Sequence, residues 1–448
     1  MRARVIPAAA VAAAVAIVTA GCAGAHGAIG SPDGAAALLP ADTLIFVAVD
    51  TTAKQAQLTA LRDSLLGRAN LSWTGDLEPA LGDELDVALL PGAKRAGVAL
   101  TQPRDAAKLR ALAAKHHLAV REVGGWTALA ATAATLDLLG HAPTLAADTS
   151  FVSAMSRLDA KAVVRAYASA NEAQQLLGQL PGQSRILVTH QGATGITAST
   201  RFIWAAADAV LDGHVTRVHG YARTVLPPIG RSRPLQEPAL AYESALVDEI
   251  PADALLVVDT SVVPGQYELV DPSQVPKSLR PLVTSSVPSQ LDDLLGGETA
   301  LYVRAGLPMP EVTVVTQPTD TTGAVQAIEP LLTSLRGFVK QLPQVTLYHA
   351  VVGGQLVVST SLRGIAVFRS GGPKLASDPD FQHAQSLAGM PAATTGFVYA
   401  NLKSAAPFLQ LAGAKDAKDL AGLHSFLAYT ERTSTDVTLT AVLDTGSS

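Results

Sequence analysis

Apolar and polar residues alternate along the chain with two different periods. Short runs rich in β-branched and aromatic residues, such as "TLIFVAVD" at 43–50, follow turn residues and predict strands. The stretch Asp105–His117 places leucine and alanine at helical spacing behind an acidic start, which predicts a helix. The segments that open at Ser184 and at His424 each predict two strands joined by a short turn, which favours antiparallel pairing.

The same pattern occurs twice along the chain, in the same order. "LLPADTLIFVAVDTT" from Leu38 returns as "EIPADALLVVDTS" from Glu249, and five further pairs of segments follow. The matched residues include Pro40/Pro251, Asp42/Asp253, Gly82/Gly296, Pro103/Pro318, Asp148/Asp378 and Tyr167/Tyr399. Their offset rises slowly from 211 to 232 residues, as loop insertions produce. We therefore predict an α+β fold of two tandem repeated lobes, each a largely antiparallel sheet with helices packed on one face.

The start of the chain predicts export. Arg2 and Arg4 precede the apolar run Ala8–Ala20, which is too short to span a bilayer and is typical of a secretory signal peptide. The residues 19–21 ahead of Cys22 resemble the bacterial lipobox, whose cysteine is lipidated and becomes the first residue of the mature protein. We predict lipidation of Cys22 and a place on the extracytoplasmic face of the cell membrane. The alternative is ordinary signal cleavage a few residues later, with Cys22 incidental.

These features give the following division of the chain. Residues 1–21 are predicted as a signal peptide and 22–38 as a lipidated, flexible stalk rich in Gly and Ala. The first α+β repeat is predicted at 39–224 and the second at 249–446. Residues 225–248 between them, with four prolines, are predicted as a linker.

The composition of the chain limits the kinds of site and partner that it can have. Cys22 is the only cysteine in 448 residues, so a chain lipidated there keeps no thiol for a disulfide, a nucleophile or a metal site. Without residues 1–21 the chain has 31 basic and 38 acidic residues, a net charge of −7. That charge argues against nucleic-acid binding and against a broad electrostatic attraction to anionic lipid.

The sequence contains none of the catalytic motifs sought: a Gly-x-Ser-x-Gly elbow, Ser-x-x-Lys, His-Glu-x-x-His or a phosphate-binding glycine loop. Six acidic residues recur in both copies and are predicted to cap backbone amides: Asp42, Asp253, Asp148, Asp378, Glu84 and Glu298. Adjacent His116 and His117 point about 100° apart on a helix and make a poor metal site. A tertiary cluster of His190, His214 and His219 stays open. We predict no catalytic, cofactor-binding or metal-binding residue.

A lipobox followed by repeated openings of the form "LPADT" and an apolar strand resembles an actinobacterial envelope lipoprotein family, known as domain of unknown function 3352. The resemblance covers most of the mature chain and implies an envelope location and this architecture. The family has no assigned catalytic residues, so the resemblance assigns no role to a particular position.

The function predicted from these observations is that of a non-catalytic, membrane-tethered lipoprotein that interacts with another envelope protein or acts as a scaffold. The alternative is an envelope protein that binds a lipid or another apolar ligand. A continuous apolar pocket between helices and sheet would favour the ligand. A tightly packed interior with an exposed apolar patch would favour the protein partner. An enzyme with dispersed catalytic groups is a third reading.

Overall fold

The computed structural model describes residues 29, 31, 34–52, 73–91, 96–170, 172, 190–191, 197–198, 201–225, 241–262, 297–306, 309–318, 320–328, 346–411, 422–433 and 435–446. The chain divides into two compact units. Unit 1 comprises residues 1–177 and 201–225, and unit 2 comprises 178–200 and 226–448. The predicted signal peptide, Cys22 and most of the predicted linker lie outside the described residues.

Unit 1 contains eight strands in one antiparallel sheet, in the order β10-β9-β6-β1-β2-β3-β5-β4. The strands are β1 (Ile45–Asp50), β2 (Glu84–Leu90), β3 (Ala96–Thr101), β4 (Ala119–Val123), β5 (Trp126–Ala130), β6 (Val164–Ser169), β9 (Arg201–Asp212) and β10 (Val215–Val225). The helices are α1 (Ala106–Lys115), α2 (Ala133–Leu136) and α3 (Thr149–Met155), with 3-10 turns at Ala35–Leu38 and Leu145–Ala147 and a π turn at Trp73–Leu77.

Unit 2 also contains an eight-stranded antiparallel sheet, in the order β15-β16-β14-β13-β12-β18-β19-β20. Its strands are β12 (Ala254–Val262), β13 (Gly297–Arg304), β14 (Glu311–Pro318), β15 (Tyr348–Val352), β16 (Gln355–Ser359), β18 (Gly396–Asn401), β19 (Ser425–Arg432) and β20 (Asp436–Asp444). Its helices are α4 (Leu362–Arg369), α5 (Pro379–Ala388) and α6 (Leu402–Leu411), and residues 321–328 are also helical. The 3-10 turns lie at Leu246–Asp248 and Leu375–Ser377.

Two short pairs complete the described strands. β7 (His190–Gln191) pairs with β8 (Thr197–Ala198), and β11 (Tyr242–Glu243) pairs with β17 (Ala393–Thr394). The predicted α+β class with antiparallel sheets is confirmed. Among the described residues, no helix combines the length and the apolar character that crossing a bilayer requires.

Aromatic side chains fill the space between sheet and helix in unit 1. Phe151 of α3 packs edge-on against Phe46 of β1 and Tyr167 of β6, with ring centroids 5.4 and 5.3 Å apart. All three rings are buried, and Trp204 of β9 belongs to the same core. Edge-to-face pairs of this kind add about 0.5–1.5 kcal/mol beyond the area that they bury.

The interior of unit 2 is packed in the same manner. Phe381 of α5 lies against Phe397 and Tyr399 of β18, with centroids 5.8 and 4.9 Å apart. Tyr302 of β13 and Phe368 of α4 are also buried. The helices and the sheet therefore meet through large side chains in both units.

Two predicted caps hold these helices in place. The Asp148 carboxylate accepts a hydrogen bond from the Phe151 amide at 2.8 Å, and Asp378 accepts one from the Phe381 amide at 2.8 Å. Each Asp is the N-cap of its helix, α3 or α5. The prediction of structural caps is confirmed for this pair.

Two pairs of adjacent glycines lie in tight hairpin turns. Gly124 and Gly125 join β4 to β5 with φ of 55° and 80°, and Gly353 and Gly354 join β15 to β16 with φ of 61° and 87°. Positive φ at both central residues suits a two-residue hairpin and favours glycine.

The predicted stalk at 22–38 extends too far. Ile29 is only 6% exposed, and its carbonyl accepts a hydrogen bond from Arg165 Nη1 at 3.0 Å. Ala35 and Ala36 are also buried in the core of unit 1. We call residues 29–38 the lead-in segment of unit 1. Its small residues suggested flexibility, but they let the backbone pack closely against the core.

The predicted linker at 225–248 likewise ends too late. Tyr242–Glu243 forms β11, and Leu246 is fully buried in the 3-10 turn that follows. Residues 242–248 therefore form the lead-in segment of unit 2. In each unit, the folded chain starts several residues before the Pro-Ala-Asp turn on which the sequence boundary was placed.

Candidate functional site

The Pro40–Asp42 turn of unit 1 is fixed by backbone hydrogen bonds. The Thr43 amide donates to the Pro40 carbonyl at 3.1 Å, which closes the turn ahead of β1. The Ala41 amide donates to the carbonyl of Pro143 at 3.1 Å and ties the turn to a second loop. The Asp42 side chain is left exposed at the end of the sheet.

Unit 2 contains the same turn at Pro251–Asp253. The Ala254 amide donates to the Pro251 carbonyl at 3.2 Å, and the Ala252 amide donates to the carbonyl of Pro373 at 3.0 Å. The backbone around Asp253 therefore repeats the geometry around Asp42. The two carboxylates nevertheless have different surroundings.

In unit 2 the Asp253 carboxylate binds a guanidinium in bidentate geometry. Arg304 Nε and Nη2 lie 2.6 Å from its two oxygens, and Nη1 lies 2.6 Å from Glu311 Oε1. The Arg304 side chain is 5% exposed, and these hydrogen bonds, first of all the one to Asp253, raise its pKa. Ser361, the N-cap of α4, donates to the second oxygen of Glu311. The predicted cap role is thus wrong for Asp253, which forms an ion pair.

In unit 1 the corresponding positions are apolar. Arg304 and Glu311 face each other across the β13–β14 pair, and Leu90 and Ala96 occupy that place across β2–β3. Leu90 is fully buried. Among the described residues, no side chain or backbone group bonds the Asp42 carboxylate, so its predicted cap role is also wrong.

Asp42 lies in an open cleft of about 680 Å³. The cleft is lined mainly by apolar side chains, among them Pro40, Pro91, Leu138 and Pro143. His141 is the other polar side chain of the lining, and its Nε2 lies 3.0 Å from the carbonyl of Asp137. A carboxylate at an apolar cleft of this volume is suited to holding a cationic side chain with apolar neighbours. We call it the Asp42 cleft.

A second set of charged groups is buried beneath the lead-in segment of unit 2. Glu298 accepts hydrogen bonds from the amides of Ala245 and Leu246 at 3.0 and 2.9 Å. Ser244 Oγ lies 2.7 Å from its carboxylate. Glu298 thus bonds backbone amides, as predicted, but it does so from within β13 and at the start of the distant 3-10 turn Leu246–Asp248, not at a turn of its own.

Asp259 of β12 lies beside Glu298 and is 1% exposed. Burial first, and then the charge of Glu298, raise the pKa of Asp259 to about 7. Tyr242 Oη donates to Asp259 Oδ1, and Ser244 Oγ lies 2.9 Å from Oδ2. Ser244 has one hydroxyl proton and cannot donate it to both carboxyls. When Asp259 is protonated, its Oδ2 donates to Ser244 and Ser244 donates to Glu298. This chain of hydrogen bonds stabilises the two neighbouring carboxyls.

Unit 1 has a different carboxyl pair at this place. Glu84 occupies the position of Glu298, and Asp86 follows it on the same face of β2. Asp86 is fully buried, and among the described residues only the Glu84 carboxyl interacts with its oxygens. Burial first, and then the nearby Glu84, raise the pKa of Asp86 well above its usual value. Burial of Asp86 therefore favours its protonated form.

Two charged residues, Arg165 and Asp208, and the histidine His219 follow Asp86 across the sheet of unit 1. Arg165 donates to the carbonyl of Asp159 at 2.7 Å, and Asp208 accepts from the Asp159 amide at 2.8 Å. His219 Nδ1 lies 2.9 Å from the second carboxylate oxygen of Asp208. Burial lowers the pKa of Arg165. The guanidinium and the carboxylate fix the loop after α3, and Arg165 also holds the lead-in segment at Ile29.

The structure does not assemble the histidines into a site. His116 and His117 lie together at the end of α1, as predicted. His214 and His219 lie five residues apart on one hairpin, about 16 Å along a strand, and the His190 side chain is not described. His383 and His424 flank the Asp444 carboxylate at 3.7 and 3.9 Å, too long for hydrogen bonds. Within the described part of the chain, no group of three ligands could hold a metal ion.

Sequence reasoning missed Arg304, Asp259, Asp86, Arg165 and Asp208, which are all buried. Each lies in a strand and is flanked on both sides by apolar or small residues. A charge in a buried strand needs a partner or a proton, so this pattern was a usable signal.

Comparison with known proteins adds no assignment: no family model, no curated protein and no solved structure matches this chain. The resemblance to domain of unknown function 3352 and the lipidation of Cys22 therefore stay predictions.

Proposed function

We propose that this protein is a non-catalytic lipoprotein of the cell envelope, anchored through Cys22 and presenting unit 1 to a partner protein near the membrane. The exposed Asp42 cleft is the observation that carries the proposal. Among the described residues the Asp42 carboxylate has no bonding partner, whereas the matching Asp253 is paired with Arg304. A pairing group left open at the surface suits recognition of another molecule.

The anchor is supported by the short distance from Cys22 to the folded unit. Only residues 23–28 separate Cys22 from the buried Ile29. At about 3.6 Å per residue, this segment spans at most about 25 Å. A lipidated Cys22 would thus keep unit 1 within about 25 Å of the bilayer surface, where envelope partners are accessible.

The packed interior favours the protein partner over an apolar ligand. In both units the space between sheet and helices is filled by buried aromatic rings, with Phe151 and Phe381 at equivalent places. The buried polar groups of Glu298, Arg165 and Asp208 are engaged with backbone groups of the same unit. These groups stabilise loops, which supports a non-catalytic role.

We further propose that the two units are copies of one ancestral unit, so that 39–224 and 249–446 derive from a tandem duplication. The matched Pro-Ala-Asp turns, the helix caps at Asp148 and Asp378 and the order of the strands support this. An experimental structure is expected to superpose Pro40 on Pro251 and Tyr167 on Tyr399. Different strand orders in the two halves would contradict the duplication.

The anchor is tested by membrane fractionation and mass spectrometry. Cys22→Ala is expected to move the protein from the membrane fraction into the soluble fraction or to leave it unprocessed. Thr19→Leu, which brings the segment closer to the lipobox pattern, is the matched control and should stay membrane-bound with an acylated Cys22. A wild-type mature chain with an unmodified thiol at Cys22 would rule out the anchor.

The choice between partner and apolar ligand is tested on the Cys22→Ala chain purified from its native envelope. Native mass spectrometry is expected to find the bare mass of the folded chain. A lipid retained at one copy per chain would favour the apolar-ligand alternative and overturn the partner proposal.

A further inference from the structure

We propose that the Asp42 cleft binds an arginine side chain presented by a proline-containing or otherwise apolar segment of a partner protein. The proposal rests on the function proposed above and adds the chemistry of the partner. It is carried by a comparison within the chain, because unit 2 contains the same turn with an arginine in place.

Unit 2 supplies the geometry. Asp253 accepts two parallel hydrogen bonds of 2.6 Å from Arg304, one at each carboxylate oxygen. A planar guanidinium matches a carboxylate in this manner, whereas a lysine ammonium acts as a single point charge. The Pro-Ala-Asp turn thus presents its carboxylate in an orientation that a guanidinium can use.

Unit 1 has the carboxylate without the cation. Leu90 replaces Arg304 in the hairpin and Ala96 replaces Glu311, so no arginine of the described strands β2 and β3 takes the place of Arg304. Asp42 is exposed and unbonded among the described residues. The proposal places the arginine that pairs with Asp42 on a partner, and the chain's own arginines outside the described residues are alternatives that the test separates.

The lining of the cleft indicates what surrounds that arginine. Pro40, Pro91, Leu138 and Pro143 offer apolar surface next to the carboxylate. The aliphatic stem of an arginine and adjacent apolar residues can cover such surface while the guanidinium pairs at its edge. The cleft volume of about 680 Å³ is sufficient for a few side chains.

The test uses the mature chain carrying Cys22→Ala and the capped peptide acetyl-Leu-Pro-Arg-Pro-Leu-amide. Its two matched probes replace arginine with lysine or with citrulline, which has nearly the shape of arginine but no charge. In ligand-observed NMR titrations, we expect the arginine peptide to bind at least fivefold more tightly than the lysine peptide. The citrulline peptide should show no saturable binding.

Asp42→Asn is expected to weaken binding of the arginine peptide at least fivefold, since the bidentate carboxylate is lost. Glu243→Gln removes an exposed carboxylate outside the cleft and should leave the affinity unchanged. No saturable binding of the arginine peptide, equal binding of the citrulline peptide, or equal affinity of the Asp42→Asn chain would each overturn the proposal.

The chain itself contains a segment with the same chemistry, because Arg231 and Arg233 lie among four prolines at 225–238. The double variant Arg231→Gln/Arg233→Gln separates this segment from an external partner. Arg95 also lies in this chain, in the β2–β3 connection, and Lys94→Gln/Arg95→Gln is its matching variant. An unchanged affinity for the arginine peptide in both double variants supports a partner protein. An affinity at least fivefold higher would identify the chain's own segment as the occupant and overturn the partner. None of these binding results depends on lipidation, which the Cys22 fractionation tests separately.

Discussion

We call residues that pair with one another across successive strands of a sheet a row. At matching positions of the two sheets, the row of unit 1 and the row of unit 2 contain different side chains. From β10 to β2, the row in unit 1 is His219, Asp208, Arg165, Ala48 and Asp86. From β20 to β13, the row in unit 2 is Thr440, Tyr429, Phe397, Asp259 and Ala300. Unit 1 thus has the charged Asp208 and Arg165 where unit 2 has the aromatic rings of Tyr429 and Phe397. The next two positions also differ: unit 1 has Ala48 and Asp86, whereas unit 2 has Asp259 and Ala300.

The end of the sheet with the Pro-Ala-Asp turn shows the reverse assignment. Unit 2 buries the ion pairs of Arg304 there, and unit 1 buries Leu90. The comparison indicates that this type of sheet accepts either an ion pair or apolar side chains at a given position, provided that both residues of the cross-strand pair change together. Variants that copy one unit into the other test this directly.

The largest effect is expected for Arg304→Leu. The variant leaves Glu311 as a buried carboxylate with no cation, which should destabilise unit 2 by about 3 kcal/mol. This is at the lower end of the usual cost of breaking a buried pair, because the Asp253 side chain is 63% exposed. Native-state amide hydrogen exchange of β13 and β14 measures the loss.

The double variant Arg304→Leu/Glu311→Ala copies Leu90 and Ala96 of unit 1 and removes both charges. It is expected to recover most of the stability lost in the single variant, because no unpaired charge stays buried. If the double variant is no more stable than Arg304→Leu, then the two solutions are not interchangeable in this sheet.

The next effect is expected for Arg165→Met in unit 1. The hydrogen bonds from the guanidinium to Ile29 and Asp159 are lost, which should cost about 2–3 kcal/mol. The lead-in segment should exchange its amides faster and become open to protease. Lys161→Met removes an exposed charge near the same loop and serves as the control. An unchanged protease pattern would contradict the role of Arg165 in holding this segment.

Tryptophan fluorescence reports the global effect of this change. Trp73, Trp126 and Trp204 all belong to unit 1, so urea unfolding followed by fluorescence measures that unit. The same signal should not respond to the Arg304 variants, which makes the two experiments independent readings of the two units.

A pH-dependent effect, spread over several pH units, is expected at Asp259. Its pKa of about 7 lies above the usual value of about 3.9 in an unfolded chain, so the folded state binds the proton more tightly. The resulting stability is fully present below pH 4 and is lost as the pH rises through 7, by at most about 1.4 kcal/mol per pH unit.

Asp259→Asn resembles the protonated acid and should remove this slope from unit 2 between pH 4 and 7. It keeps an acceptor for Tyr242 and a donor towards Ser244. Asp248→Asn, at an exposed position, should keep the wild-type slope. Hydrogen exchange of β12 against pH measures the difference, and an unchanged slope in Asp259→Asn would assign the effect to another group.

The sequence predicted the parts of this structure that depend on local pattern. The strand at Ile45–Asp50, the helix at Ala106–Lys115 and the caps at Asp148 and Asp378 follow from spacing and turn chemistry. The lead-in segments were missed, because Ala35 and Ala36 have no periodic pattern and owe their burial to tertiary contacts. The recognisable repeat also begins close to the Pro-Ala-Asp turn, whereas the folded chain of each unit begins several residues earlier.

The charged sites were only partly predictable, since cross-strand pairing decides them. Asp42 and Asp253 occupy matching positions in the sequence. Their surroundings differ because the strand register brings Arg304 to the turn in unit 2 and places Leu90 at the corresponding position in unit 1. That register is not readable from either segment alone. Glu298 was predicted as a cap because its position recurs, and its backbone partners lie 52 and 53 residues earlier in the chain.

The smallest effect is expected for Asp86→Ala, which copies Ala300 of unit 2. Asp86 and Asp208 are both fully buried in one sheet; Asp208 bonds the Asp159 amide and His219, whereas Asp86 has only the Glu84 carboxyl beside it among the described residues. Removing the Asp86 carboxyl relieves a desolvation cost of about 1–3 kcal/mol, offset by about 1 kcal/mol for the cavity. Fluorescence-detected unfolding should therefore place the stability of Asp86→Ala between that of the wild type and about 2 kcal/mol above it at pH 5.

Asp208→Ala is the matched comparison and should lose at least about 2 kcal/mol, because Asp159 and His219 lose their partner. The raised pKa of Asp86 also sets the direction of its pH dependence. Its contribution to the stability of unit 1 declines as the pH rises above about 4. Asp86→Ala should thus gain on the wild type between pH 5 and pH 8. A loss as large as that of Asp208→Ala, at either pH, would mean that Asp86 has a bonding partner and that the two units share more chemistry than their rows of residues indicate.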